Sequence, residues 1–232
     1  MRDISKRLDL LLGQVRRACE DSGRSPKEVN ILAVAKTQPA SSISNALSSG
    51  QRHFGENYLQ EALPKILAFP LSDWHFIGSI QRNKTKDIAE SFDWVHSVHS
   101  LKVAKRLSDQ RPVTLNPLKV MIQINISEES SKTGVTPAEA MQLAFDITAL
   151  PNLSLQGLMV IPAFCKSFEK QRQSFRHTRE IRDNISDKLG ITLPHLSMGM
   201  TRDFKAAILE GATWIRIGTA IFGPRTNFGD KE

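Results

Sequence analysis

The chain has 232 residues, 40% hydrophobic and 24% charged, with 13 glycines and 11 prolines. These proportions exclude collagen-like, low-complexity and wholly disordered chains, and the length allows one large domain or two small ones. A net charge of +7 favours an anionic partner without choosing among nucleic acid, a membrane surface and a phosphorylated small molecule.

The first 23 residues space their apolar side chains with charges, unlike a signal peptide or a membrane span. Ile4, Leu8, Leu11, Leu12, Val15 and Ala18 predict a helix over residues 3–21, stopped by Gly23 and Pro26. Eight short, β-rich apolar runs follow, at 30–36, 52–56, 73–78, 94–98, 119–126, 153–161, 195–198 and 212–217. Amphipathic stretches separate them, at 41–49, 57–68, 83–91, 101–109, 137–150, 167–189 and 202–210, and a last turn follows Thr219. Eight strands alternating with helices in this length predict an α/β fold, a single (β/α)8 TIM-type barrel preceded by an N-terminal helix. A doubly wound sheet would show a glycine-rich turn after its first strand; Lys36-Thr37-Gln38-Pro39 stands there instead. One domain over residues 1–232 is expected. Cys19 and Cys165 are the only cysteines, so neither a disulfide framework nor a zinc site is expected, and the cytoplasm is the natural compartment.

Chemistry in such a barrel sits at the C-terminal strand ends. Strand one delivers Lys36, on the same face as Leu32 and Val34. A poorly solvated amine there suits Schiff-base formation, although a strand-end lysine commonly just extends its head into water. Strand seven delivers Ser197, Gly199 and Met200, with Thr201 as an N-cap or a ligand hydroxyl. Strand eight delivers Arg216, Gly218 and Thr219, with Trp214 and Arg216 on the face opposite Ile215 and Ile217. Turns after the last two strands are the usual phosphate site of this fold. Asn57 after strand two is a helix cap or a ligand contact. His75, beside Trp74 and Phe76, reads as a satisfied core histidine. Lys132 reads as a solvated loop residue. The helical arginines and lysines form no basic run with interleaved aromatics, and no nucleic-acid motif is present.

The blocks AVAKTQ, FGENYLQEA, WHFIGSIQRNK, INISEESSKTG, GLMVIPA, LSMGMTRDFKAAI and WIRIGTAIFGPR occur in order over nearly the whole chain. Together they resemble the pyridoxal phosphate homeostasis protein family, single-domain proteins similar to the N-terminal barrel of alanine racemase. The resemblance implies pyridoxal 5'-phosphate as cofactor, held as a Schiff base on Lys36. It implies a phosphate site at Ser197–Met200 and at Gly218 and Thr219, Arg216 facing the pyridine nitrogen, and Asn57 near the ring. Thr201 and Trp214 depart from the residues common at their positions. No metal and no catalytic residue is implied.

The expected function is a non-catalytic carrier that maintains vitamin B6 levels, a monomer with transient contacts to pyridoxal-phosphate-dependent enzymes. The alternative is an amino-acid racemase. Racemases of this fold bring a tyrosine base from a second domain; Tyr58 is the only tyrosine here, and no such domain is expected beyond strand eight. A cofactor-free Schiff-base lyase shares the lysine and the phosphate turns. Lys132 is also a candidate for transient capture of the departing cofactor.

Overall fold

The computed structural model describes residues 2–127 and 133–224. After helix α1 (Arg2–Asp21), eight strands alternate with helices: β1 (Asn30–Val34), α2 (Ala40–Ser48), β2 (His53–Glu56), α3 (Leu59–Ala68), β3 (Asp73–Phe76), α4 (Thr85–Ser91), β4 (Trp94–Val98) and α5 (Leu101–Gln110). The second half continues with β5 (Leu118–Ile124), α6 (Pro137–Thr148), β6 (Leu153–Val160), α7 (Phe168–Leu189), β7 (His195–Met200), α8 (Phe204–Leu209), β8 (Trp214–Ile217) and α9 (Thr219–Phe222). The strands form one closed parallel barrel in chain order, sealed by β1 against β8 with Asn30 opposite Trp214. The expected fold class is the one observed.

Strand alternation divides the apolar residues into two cores. Ile31, Ala33, Ile215 and Ile217 point outward into the layer shared with the helices. Leu32, Trp94, Met121, Met159 and Trp214 point inward and fill the barrel. Helix α1 buries Ile4, Leu8, Leu11, Val15 and Ala18 against α2, α8 and α9. Leu12, expected on that face, is 48% exposed, because it lies one step of about 100° round the helix from Leu11. Arg24 then donates to the Ile208 and Ala212 carbonyls, each at 2.9 Å, and so ties the α1 turn to the end of α8.

Most differences from the sequence expectation lie at element ends. The first strand ends at Val34, so Lys36 stands in a turn two residues beyond it. The third helix begins at Leu59, with Tyr58 as its N-cap and no side-chain cap. Asn57 therefore does not cap it. The eighth helix begins at Phe204, because the Met200 amide donates to the Asp203 carboxylate and closes a turn first. Lys132 lies outside the described residues.

The register of β5 on β6 shifts between Val120 and Met121, where Gly157 sits with a φ of 154°. A Cβ at Gly157 would lie 1.8 Å from the His195 carbonyl oxygen, so only glycine lets β6 approach β7 at this bulge.

Candidate cofactor site at the barrel mouth

A cavity of about 330 Å³ opens at the C-terminal end of the barrel. Val34, Lys36 and Gln38 line it from β1, Met200 to Asp203 from β7, and Arg216, Gly218 and Thr219 from β8. Five of the expected site residues thus share one cavity: Lys36, Met200, Arg216, Gly218 and Thr219.

The turn carrying Lys36 is held from α3. Lys65 donates to the Ala35 carbonyl at 2.9 Å and to Glu56 Oε1 at 2.7 Å, and both its partners are buried. The Thr37 amide donates to Glu61 Oε2 at 2.8 Å. Thr37 has a φ of 62°, a left-handed conformation uncommon for a β-branched residue. Such backbone persists where neighbours over-determine it, and here the two bracing side chains flank the candidate nucleophile. Lys36 itself is half-buried.

Arg216 is 4% exposed, at the floor of the cavity. One of its terminal nitrogens donates to the Ser197 carbonyl at 2.6 Å and to Ser197 Oγ at 2.9 Å; the other donates to the Val160 carbonyl at 2.8 Å. Burial pulls its pKa down to about 10, against the charge of Asp203, so it stays charged at neutral pH. Burial also pushes the Asp203 carboxyl up. The Thr219 hydroxyl bonds the Thr201 hydroxyl at 3.3 Å, which links the two last turns across the cavity wall.

The other three expected residues sit elsewhere. Ser197 is 1% exposed and lies beneath the cavity, its hydroxyl engaged by Arg216 and His96. Gly199 is buried with a φ of 91°, and a Cβ there would stand 2.6 Å from the Ala207 Cβ. Its lack of a side chain lets β7 pack against α8. Asn57 lines two further cavities, one with Tyr58, Ser79 and Lys84 and one with Gln123 and Asn125. Its Oδ1 is buried without a hydrogen-bond partner, and Gly78 packs so closely that a Cβ would lie 2.0 Å from the Asn57 carbonyl oxygen.

Below Ser197 the barrel holds a file of histidines. His96 Nδ1 lies 2.9 Å from Ser197 Oγ, His96 Nε2 lies 3.0 Å from His75 Nδ1, and His75 Nε2 lies 3.4 Å from His53 Nδ1. His75 is fully buried and hydrogen-bonded, the satisfied core histidine expected of it. The parity that turns these rings inward was present in the sequence: His96 follows Trp94 by two residues, as Arg216 follows Trp214. Of the file, only His75 is singled out from the sequence; the same parity marks His53 and His96, a turn signal marks Asp203, and Lys65 on α3 carries neither.

Burial holds His75 and His96 well below the ordinary imidazole pKa, and lowers those of His53 and His195 as well. The unfolded chain therefore binds more protons below about pH 6.5, and acid favours unfolding. Urea-unfolding free energy should fall by about 1.4 kcal/mol in all for each ring that charges only on unfolding, as pH drops from about 7.5 to about 5.5, most of it below about pH 6.5. The raised carboxyls of Glu56, Asp93 and Asp203 act in the opposite sense at the acid end of that window. Stability that is flat or rising between pH 7.5 and 6.5 would contradict neutral, buried rings.

Residues 14–226 match the family model for the alanine racemase N-terminal domain. A relative from Pseudomonas aeruginosa called pyridoxal phosphate homeostasis protein is 49% identical, covering 97% of each chain. The structure of PipY from Synechococcus elongatus with PLP bound is 34% identical, with a TM-score of 0.83 over 95% of this chain and 100% of that one. An alanine racemase from Clostridium difficile superposes with a TM-score of 0.74 at 14% identity; this chain covers 58% of it, and the likeness shows the fold alone. By both the family model and near-full-length identity, the chain belongs to the pyridoxal phosphate homeostasis protein family, with the alanine racemase N-terminal barrel as its fold.

Proposed function

We propose that this protein is a carrier that binds pyridoxal 5'-phosphate reversibly on Lys36 and so sets the free level of the vitamin B6 cofactor in the cytoplasm. The observation that carries this reading is the single cavity where Lys36, Arg216 and the turns after β7 and β8 meet. Its volume of about 330 Å³ falls within the usual range for small-molecule sites. Lys36, Arg202 and Arg216 against Asp203 give it a positive balance suited to an anionic ligand. A Cβ on Gly218 would meet nothing of the protein closer than 3.6 Å, so packing does not demand glycine there, and the open backbone suits a phosphate.

In this reading Lys36 supplies the amine for covalent attachment. Backbone and hydroxyl groups of Met200, Gly218 and Thr219 hold the phosphate, with Gly199 setting the path of the first turn. Arg216 would face the ring nitrogen, and Ser197 would act through Arg216. Asn57, which lines other cavities, would stand near the ring. The cofactor supplies an aldehyde that condenses with an amine and a ring that draws electrons. Because a guanidinium only donates hydrogen bonds, Arg216 keeps the ring nitrogen unprotonated and the ring a weaker electron sink.

Racemization needs a base on each face of the substrate. Among the described residues lining the cavity with Lys36, the one carboxylate is Asp203, and it accepts from the Met200 amide. Tyr58 lines a different cavity and is 58% exposed. A single barrel acting as a monomer, handing its cofactor to dependent enzymes by transient contact, fits this inventory. Among the described residues no helix is long and apolar enough to cross a membrane. Incubation of pure, cofactor-loaded protein with L-alanine or other L-amino acids should give slow or undetectable racemization. Sustained turnover that disappears in Lys36→Ala would instead make it an enzyme.

A further inference from the structure

The histidine file runs from His53 near the N-terminal face to Arg216 at the mouth, and its protons are constrained. Arg216 only donates, so Ser197 Oγ accepts from it at 2.9 Å. The serine hydroxyl has one proton, and His96 Nδ1, also at 2.9 Å, is its acceptor among the described hydrogen bonds. That places the His96 proton on Nε2, where it donates to His75 Nδ1 at 3.0 Å. His75 in turn carries its proton on Nε2 and points it at His53 Nδ1, 3.4 Å away. The opposite order would leave the Ser197 proton with no acceptor inside the barrel, at the cost of an unsatisfied buried donor.

We propose that His96 and His75 are positioning residues for Arg216: as neutral Nε2–H rings they keep the Ser197 hydroxyl turned away from the guanidinium, which fixes the guanidinium in one orientation at the cavity. The rings are themselves held in place. Trp94 stacks on His75 with centroids 5.4 Å apart and planes 7° from parallel, and Trp214 packs on both His75 and His53, with centroids 4.8 Å and 4.9 Å away. The charged and titratable groups that act on the file are Asp73, Asp93 and Lys119 at His53, Lys119 and His195 at His75, and Arg216 and His195 at His96. The consequence for the ligand rests on the pyridoxal phosphate reading above; the proton order does not.

Two measurements test it. Long-range ¹H–¹⁵N spectra of histidine-labelled protein without added ligand should show His75 and His96 as neutral Nε2–H rings from about pH 5.5 to about pH 8. An Nδ1–H tautomer or an imidazolium at either ring overturns the proposal. Next, His96→Leu removes the acceptor for Ser197, whereas His96→Asn offers an amide oxygen near the place of Nδ1. His96→Leu should weaken pyridoxal phosphate binding about tenfold and shift the absorption band of the bound cofactor. His96→Asn should recover most of both. Equal behaviour of the two variants, or unchanged binding in His96→Leu, overturns the positioning role. If His96→Leu does not fold, the spectra of the unsubstituted protein decide. If the unsubstituted protein fails to bind pyridoxal phosphate, the functional reading falls, and the tautomers alone decide the proton order.

Discussion

Lys36→Ala should abolish covalent retention of pyridoxal phosphate and leave the barrel folded. The side chain stands in the turn after β1 and belongs to neither hydrophobic core, so its loss should change unfolding free energy by less than about 1 kcal/mol. The phosphate turns and Arg216 remain, so weak non-covalent binding should persist. Gel filtration of the loaded variant should strip the cofactor, where the unsubstituted protein keeps it. A variant that retained the cofactor through borohydride reduction and denaturation would place the amine elsewhere.

The second large effect is expected at a residue outside the cavity. Lys65→Met removes two bonds at once: the one to the Ala35 carbonyl just past β1 and the one to Glu56 at the end of β2. Glu56 is 0% exposed, and its Oε2 already has no partner. Burial pushes its carboxyl up and Lys65 opposes that shift, so the variant leaves either a bare buried carboxylate or a protonated one. Breaking such a pair from one side costs about 3–5 kcal/mol. The Lys36 turn also loses a brace, so cofactor affinity should fall in the same variant. The double variant Lys65→Met/Glu56→Leu should recover much of the stability, because apolar replacement of both partners restores satisfaction. It should not recover full affinity, because the Ala35 carbonyl keeps its bond from the Gln38 amide within the turn but loses its tie to α3. Additive losses in unfolding free energy would mean that the two residues do not act as a pair.

The barrel was legible because its signal is repeated eight times over. A strand such as 30–34, buried on both faces, can hardly be read as anything but a central parallel strand. The site was legible to the extent that function lies at strand ends: Lys36, Arg216, Gly218 and Thr219 needed only the order of strands to be brought to one mouth. Ser197 shows the limit. Its parity points it inward with Arg216, yet whether an inward residue reaches the cavity or the layer beneath depends on strand stagger, which a sequence does not print. Asn57 shows another limit, since its two candidate roles differ only by where α3 begins, and the helix starts two residues later. Lys65 was hidden for a physical reason. A lysine on an amphipathic helix is ordinarily solvated, and only the tertiary placement of Glu56 and the Ala35 carbonyl makes it a buried brace.

One half-buried amine, on a braced turn at the barrel mouth, is the proposed point of covalent attachment. Purified protein loaded with pyridoxal phosphate, reduced with borohydride, digested and mapped by mass should carry the pyridoxyl group on Lys36, with loss of the bound-cofactor absorption band. Label on other lysines with Lys36 unmodified, or a protein with no bound-cofactor band to reduce, would contradict it.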